Sequence, residues 1–182
     1  MILTEKTYTS TKMFDRQPNS IEGKDFTIFC MAPCGVTDVH KFLNKSGISN
    51  TMGYISPYRW ALVTKERPDY NHIAIVHDPE LRQRHGQALR NLYAKRLGAL
   101  RVSDFYRFYL HPYLAQLSYG DFSYILFEEL EEFIGPTGFK YRDGGLLFPL
   151  NQETVNYNRI KECQKKLSMQ DWKEQVLKLS LF

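Results

Sequence analysis

The residues best suited to chemistry crowd into one stretch, Ile75-Val76-His77-Asp78-Pro79-Glu80-Leu81-Arg82-Gln83-Arg84-His85-Gly86-Gln87-Ala88-Leu89. A β-branched run enters a short polar turn, and a basic, glycine-containing segment follows it. The first amides of a helix have no intrahelical partner and carry the positive end of the macrodipole, and a glycine among them lets an oxyanion approach the backbone closely. The stretch therefore predicts an anion site. Phosphate oxygens would face the amides of Gly86, Gln87 and Ala88, and Arg82 or Arg84 would add charge. An ordinary helix start with solvated arginines uses the same residues, and spacing alone leaves both readings open.

The charge distribution agrees with an anion in the middle of the chain. Between Arg59 and Arg107 ten basic residues face five acids, a surplus of +5, whereas the whole 182-residue chain carries only +4. From Asp121 to Glu132 there are five acids and no base. The basic middle favours an anionic acceptor, nucleic acid included, and the acidic run Glu128 to Glu132 favours a polyamine or a lysine-rich protein. With 43% hydrophobic and 24% charged residues the chain is globular, neither collagen-like, coiled-coil nor disordered. No apolar run approaches the roughly 18–20 residues that cross a bilayer, and Met1-Ile2-Leu3-Thr4-Glu5-Lys6 lacks the order of a secretory signal, so a soluble cytoplasmic protein with no membrane partner is expected. Cys30, Cys34 and Cys163 are an odd set, for which reduced thiols are the default. The histidines and cysteines show no metal-ligand spacing, and no phosphate loop of the Gly-x4-Gly-Lys type is present, so neither a metal nor a nucleoside triphosphate is expected.

The elements that position these residues follow from periodicity. Residues 1–24 read as an irregular arm, 25–150 as the main domain, and 151–182 as a helix and edge-strand extension of it. Asp25–Ala32 reads as a buried strand, and Val36, Val39, Phe42 and Leu43 as a short helix capped by Thr37 or Asp38 and ended at Ser46-Gly47. Trp60–Thr64 and His72–Val76 read as an antiparallel hairpin around Glu66-Arg67-Pro68-Asp69. A helix over 80–98 should pack through Ala88, Leu89, Leu92 and Leu97. Leu100-Arg101-Val102 starts a strand or irregular run, Pro112–Leu117 leans helical, and Phe122–Phe133 is helical by spacing. Phe139–Tyr141 and Gly145–Phe148 read as a second hairpin, 151–166 as an amphipathic helix, and Leu177–Leu181 as an edge strand. The sum is a mixed α/β or α+β domain with a mostly antiparallel sheet flanked by helices.

Gln83-Arg84-His85-Gly86-Gln87-Ala88 fits the (Gln/Arg)-x-x-Gly-x-(Gly/Ala) pattern, and here the chain resembles the GCN5-related N-acetyltransferases, which hold the pyrophosphate of coenzyme A on that motif. Tyr93–Ala99 is similar to the end of that family's helix, Phe26-Thr27-Ile28 with Val36–Gly47 to its opening strand and helix, and Gly138-Phe139-Lys140 to its later Gly-Phe. The resemblance implies acetyl-CoA or another acyl-CoA as cofactor, bound through Ile75, Val76, Arg82, Gln83, Arg84, Gly86, Gln87 and Ala88. It implies direct transfer of the acyl group to an amine, the thioester carbonyl being polarised by a backbone N–H near Ile75 or Val76. His72, Glu66 and Asp78 are the candidate bases. Ile134 stands where that family commonly has a thiolate-protonating tyrosine, which leaves Tyr124 as the candidate acid.

Two other classes use other residues. Cys34, just ahead of a helix, could be the nucleophile of a papain-like hydrolase with His72 or His85 as base. Twelve Tyr, twelve Phe and two Trp beside a basic stretch would also suit an interaction module or nucleic-acid binder without chemistry.

Overall fold

The computed structural model describes residues 17–97 and 109–179. Of the arm expected to be irregular over 1–24, residues 1–16 lie outside the described residues and Ser20–Gly23 is a strand, paired on both sides; the strand start at Leu100-Arg101-Val102, the final residues of the expected edge strand and the side chain of Leu97 also lie outside the described residues.

Two runs of β-branched and aromatic residues form the centre. β2 (Phe26–Cys30) is buried at every position, and β4 (Asn71–Val76) at every position after the first, as befits strands covered on both faces. They pair in parallel, with Ile28 opposite Ile73. β4 pairs in parallel with β5 (Ser123–Leu126), and β5 with the two-residue β6 (Lys165–Lys166). On the other side β1 (Ser20–Gly23) runs antiparallel to both β2 and β3 (Asn50–Gly53), which completes a six-stranded sheet of order β3-β1-β2-β4-β5-β6. The mixed α/β class is as expected. Within the sheet parallel neighbours prevail, three pairings to two.

Because side chains alternate along a strand, the sheet feeds two cores. Ile21, Ile28, Cys30, Ile73, Ile75 and Ile125 pack on one face against α1 (Val36–Lys45) and the single π-helical turn Trp172–Val176, which follows the short α7 (Met169–Asp171). Phe29, Ala74, Val76 and Tyr124 pack on the other against α2 (Pro57–Glu66), α4 (Leu114–Leu117) and α6 (Asn151–Cys163). Residues 151–176 thus contribute to both cores.

Several segments depart from the expected elements. Trp60–Thr64 lies in α2, because Ser56 accepts the Arg59 N–H at 3.1 Å and Pro57 occupies the first turn, a start signal that outweighs the β-like run. The first expected hairpin is therefore a helix leading into a parallel strand. Phe122–Phe133 divides into β5, a 3-10 turn at Phe127–Glu129 and α5 (Leu130–Ile134), with Tyr124 and Ile125 buried in opposite cores. The second expected hairpin is an irregular strap, and Leu177–Leu179 forms no strand.

The long helix α3 (Pro79–Leu97) forms where periodicity puts it, yet its buried face is polar: Arg82, Gln83, His85 and Gln87 are buried, while Ala88, Leu89 and Leu92 are only half-buried. The strap accounts for this. Its backbone donates Leu147 N–H and Phe148 N–H to Gln83 Oε1 at 2.7 and 3.0 Å, Arg142 N–H to His85 Nδ1 at 3.1 Å, and Gly144 N–H to the Arg84 carbonyl at 2.8 Å. Strap amides that would have made a hairpin ladder are spent on α3 instead.

Candidate ligand cavity at the carboxyl ends of the parallel strands

In an open sheet with parallel strands, ligands gather outside the carboxyl ends of those strands. Here the chain leaves β2 into Met31–Gly35, β4 into His77-Asp78 and β5 into Phe127–Glu129. A cavity of about 360 Å³ opens beside the last two, lined by His77, Leu81, Phe127, Glu128, Leu130 and Glu131, with Thr137, Phe139 and Tyr141 from the strap.

Each polar group there is fixed by a local cause. Asp78 caps α3, its Oδ1 accepting the N–H groups of Glu80 and Leu81, both at 3.0 Å. Its own N–H donates to Glu128 Oε1 at 3.2 Å. Glu128 Oε1 also stands 3.7 Å from His77 Nε2. Burial pushes the Glu128 carboxyl above its ordinary value, against two backbone hydrogen bonds that pull it down. His77 is 2% exposed, and burial followed by the Arg82 and His85 charges depresses it to about 3, so the ring is a neutral imidazole. Among the described residues its Nδ1 has no hydrogen-bond partner. The tautomer with Nε2–H toward Glu128 leaves a bare lone pair at Nδ1. Glu131 Oε1 accepts from Thr137 N–H and Oγ1 at 3.1 and 3.0 Å, which ties the strap's first residues to α5.

The rings make the remaining walls. Phe127 packs on His77 at 4.5 Å and meets Phe139 edge-on at 4.9 Å, and Phe139 continues to His85 at 4.7 Å. The cavity is thus an aromatic recess with two carboxylates and a neutral imidazole on its wall.

The residues expected to hold coenzyme A sit elsewhere and are otherwise engaged. Gly86, Gln87 and Ala88 begin seven residues into α3, where amides bond within the helix rather than facing solvent. Gly86 is glycine because Leu110 packs on it: a Cβ there would lie 2.5 Å from Leu110 Cδ2. Arg82 donates to the Ala32 carbonyl at 2.9 and 3.2 Å and to the His111 carbonyl at 2.9 Å, which pins the loop after β2. Gln83 holds the strap, and Arg84 pairs with Glu80 and Asp143 at 3.1 and 3.3 Å. Ile75 pairs with Cys30 on one side and Ile125 on the other, and Val76 with Leu126.

The expected acid and bases do not converge. His72, at the amino end of β4, is locked: Nε2–H donates to the Arg67 carbonyl at 2.7 Å, Nδ1 accepts from Thr27 Oγ1 at 2.7 Å, and Thr27 accepts from Trp60 Nε1 at 3.1 Å. Glu66 is exposed and paired with Arg59 at 3.0 Å. Tyr124 lies in the core with its hydroxyl 3.4 Å from the Lys161 carbonyl. Of the four, Asp78 alone bonds to a residue of the carboxyl-end cavity, its N–H donating to Glu128, and its carboxylate serves the helix cap. Cys34 is fully buried at the opposite end of the sheet from His72, and burial pushes its thiol up to about 12. It has neither the thiolate nor, in His72, the base that a hydrolase needs.

A larger crevice of about 560 Å³ opens at the amino ends, lined by Thr64, His72, Asp121, Gln164 and Lys165 among others. Three of its polar side chains are engaged by the surrounding structure: Thr64 serves Ala61 and Asp121, Gln164 serves Phe122 and Gly120, and Lys165 pairs with Asp171 at 3.1 Å. The carboxyl-end cavity, which brings a carboxylate raised by burial together with three aromatic rings, is the better candidate.

Sequence reasoning missed His77, Phe127, Glu128 and Glu131 as a group. The usable signal was their position directly after the buried runs at 72–76 and 123–126, but it has meaning only once those strands are known to be parallel neighbours. Among the described residues no three His, Cys, Asp or Glu side chains group as metal ligands, and no helix is long and apolar enough to cross a membrane. Compared with known protein families, curated proteins and solved structures, the chain matches none.

Proposed function

We propose that the chain is an enzyme acting on a small molecule that carries a hydroxyl or amine, bound in the carboxyl-end cavity, with Glu128 as general base. The observation that carries this reading is the Glu128 carboxylate, raised by burial, on an aromatic-lined cavity and 3.7 Å from a neutral imidazole. A carboxylate shifted toward neutrality takes a proton more readily than an exposed one, and an apolar wall strengthens its interaction with the group it serves. His77 orients rather than titrates, because its depressed proton affinity keeps it neutral throughout the working range. In the step itself the substrate's O–H or N–H bond breaks, its electron pair stays on the substrate, and the proton passes to a Glu128 oxygen. The product of that step is a nucleophile. An acyl-coenzyme A donor gains no support from α3, whose residues 86–88 lie in mid-helix beneath Leu110 and the strap.

The test is a carbon-detected NMR titration of the glutamate carboxyls, with and without 2-phenylethanol as a probe of the cavity. Glu128 is expected to titrate above the exposed glutamates, and its midpoint to move further when the probe binds. Absence of probe binding, or a Glu128 midpoint like those of its exposed neighbours, would refute the reading.

A further inference from the structure

Resting on the site just described, we infer that its substrate class is an organic cation: a protonated amine on a small apolar or aromatic body. The cavity has the two features that select a cation over a neutral molecule of the same shape. First, Phe127, Phe139 and Tyr141 line one recess, with Phe127 and Phe139 meeting edge to face at 4.9 Å. Ring faces carry the negative part of the quadrupole and attract ammonium groups, most strongly where water is excluded. Second, Glu128 and Glu131 lie on the same wall, and no Lys or Arg is among the lining residues. Among the described residues neither glutamate forms an ion pair with a lysine or arginine. The histidine on that wall is neutral and offers a cation no repulsion.

Two nearby arginines have their guanidinium groups engaged by acceptors outside the cavity lining. Arg82 is folded onto the carbonyls of Ala32 and His111, and Arg84 is held by Glu80 and Asp143 on the outer side of α3. Among the described residues the Nδ1 of His77, whose ring is 2% exposed, has no hydrogen-bond partner. The strap supplies two of the three rings and stays half open to solvent there, with Phe139 at 37% and Tyr141 at 44% exposure, so a ligand covers surface the chain itself leaves bare. An ammonium seated here also suits the chemistry. The ammonium N–H is the proton donor to Glu128 in the proposed step, and the uncharged amine left behind is the nucleophile.

The test compares two probes of nearly equal shape, 2-phenylethylamine (a cation at neutral pH) and 2-phenylethanol, titrated by calorimetry into the wild-type protein and Glu131→Gln. The amine is expected to bind about tenfold tighter than the alcohol. Glu131→Gln should weaken the amine severalfold and leave the alcohol unchanged, and rising salt should weaken only the amine. Equal binding of both probes would overturn the cation assignment and leave the cavity reading standing. Failure of both to bind would overturn the two together. Loss of the amine and the alcohol alike in Glu131→Gln would assign Glu131 to holding the strap through Thr137, and would likewise overturn its role as a charge partner.

Discussion

Acid should weaken this fold through His77, by an amount that follows from its surroundings. An unfolded histidine titrates near 6.5, while His77 in the folded chain is held at about 3 by burial and by Arg82. Its folded affinity for protons is the lower one, so its contribution to stability is complete above pH 6.5 and is lost as pH falls through the interval toward 3. Each pH unit inside that interval costs about 1.4 kcal/mol, so lowering the pH from 8 to 5 should remove about 2 kcal/mol through this one side chain. His77→Phe keeps the ring and its packing on Phe127 but cannot take up a proton. Urea unfolding of both proteins at pH 8 and pH 5 separates this contribution from the rest, because His72, His85 and His111, which burial also depresses, are common to both proteins. Glu128, raised rather than lowered, acts in the opposite sense in each and cancels to first order. The wild type should lose about 2 kcal/mol more than the variant over this range. Parallel losses would refute the assignment of His77 as a buried neutral ring.

Three further outcomes follow from the same geometry. Gln83→Ala removes the acceptor of two strap amides and should cost about 1–2 kcal/mol, with faster hydrogen exchange at Leu147 and Phe148 as the direct readout. Gly86→Ala places a methyl 2.5 Å from Leu110 Cδ2 and should destabilise the protein by about 1–3 kcal/mol in chemical denaturation. Of the three thiols only exposed Cys163 should react quickly with a disulfide reagent in the folded protein, since Cys30 and Cys34 are buried and their thiols pushed up, and all three should react once the chain is unfolded.

The elements most legible in the sequence were those whose local and tertiary preferences agree. Phe26–Cys30 and His72–Val76 are apolar runs that become buried strands, and Val36, Val39 and Leu43 recur on the buried stripe of α1. Trp60–Thr64 was misleading because β-like side chains obscured the Ser56-Pro57 cap in front of them. The strap defeated hairpin logic because its amides pair with Gln83, His85 and the Arg84 carbonyl, partners some sixty residues away in sequence. The site suffered from the same cause. A glycine and two arginines after a strand look like an anion cradle, but α3 begins at Pro79 with Asp78 as its cap, so Gly86 falls two turns inside. Glu128 and Glu131 were legible as an acidic run suited to a cationic partner. That they meet His77 and three rings depends on β4 and β5 lying side by side, which no single-strand pattern encodes.

The central claim is the location and chemistry of the cavity, and a crystal structure of the protein soaked with 2-phenylethylamine tests it most directly. The account predicts the phenyl ring between Phe127, Phe139 and Tyr141, with the ammonium within hydrogen-bonding distance of Glu128. A ligand seated instead in the amino-end crevice beside His72, or along α3 at Gly86, would contradict it.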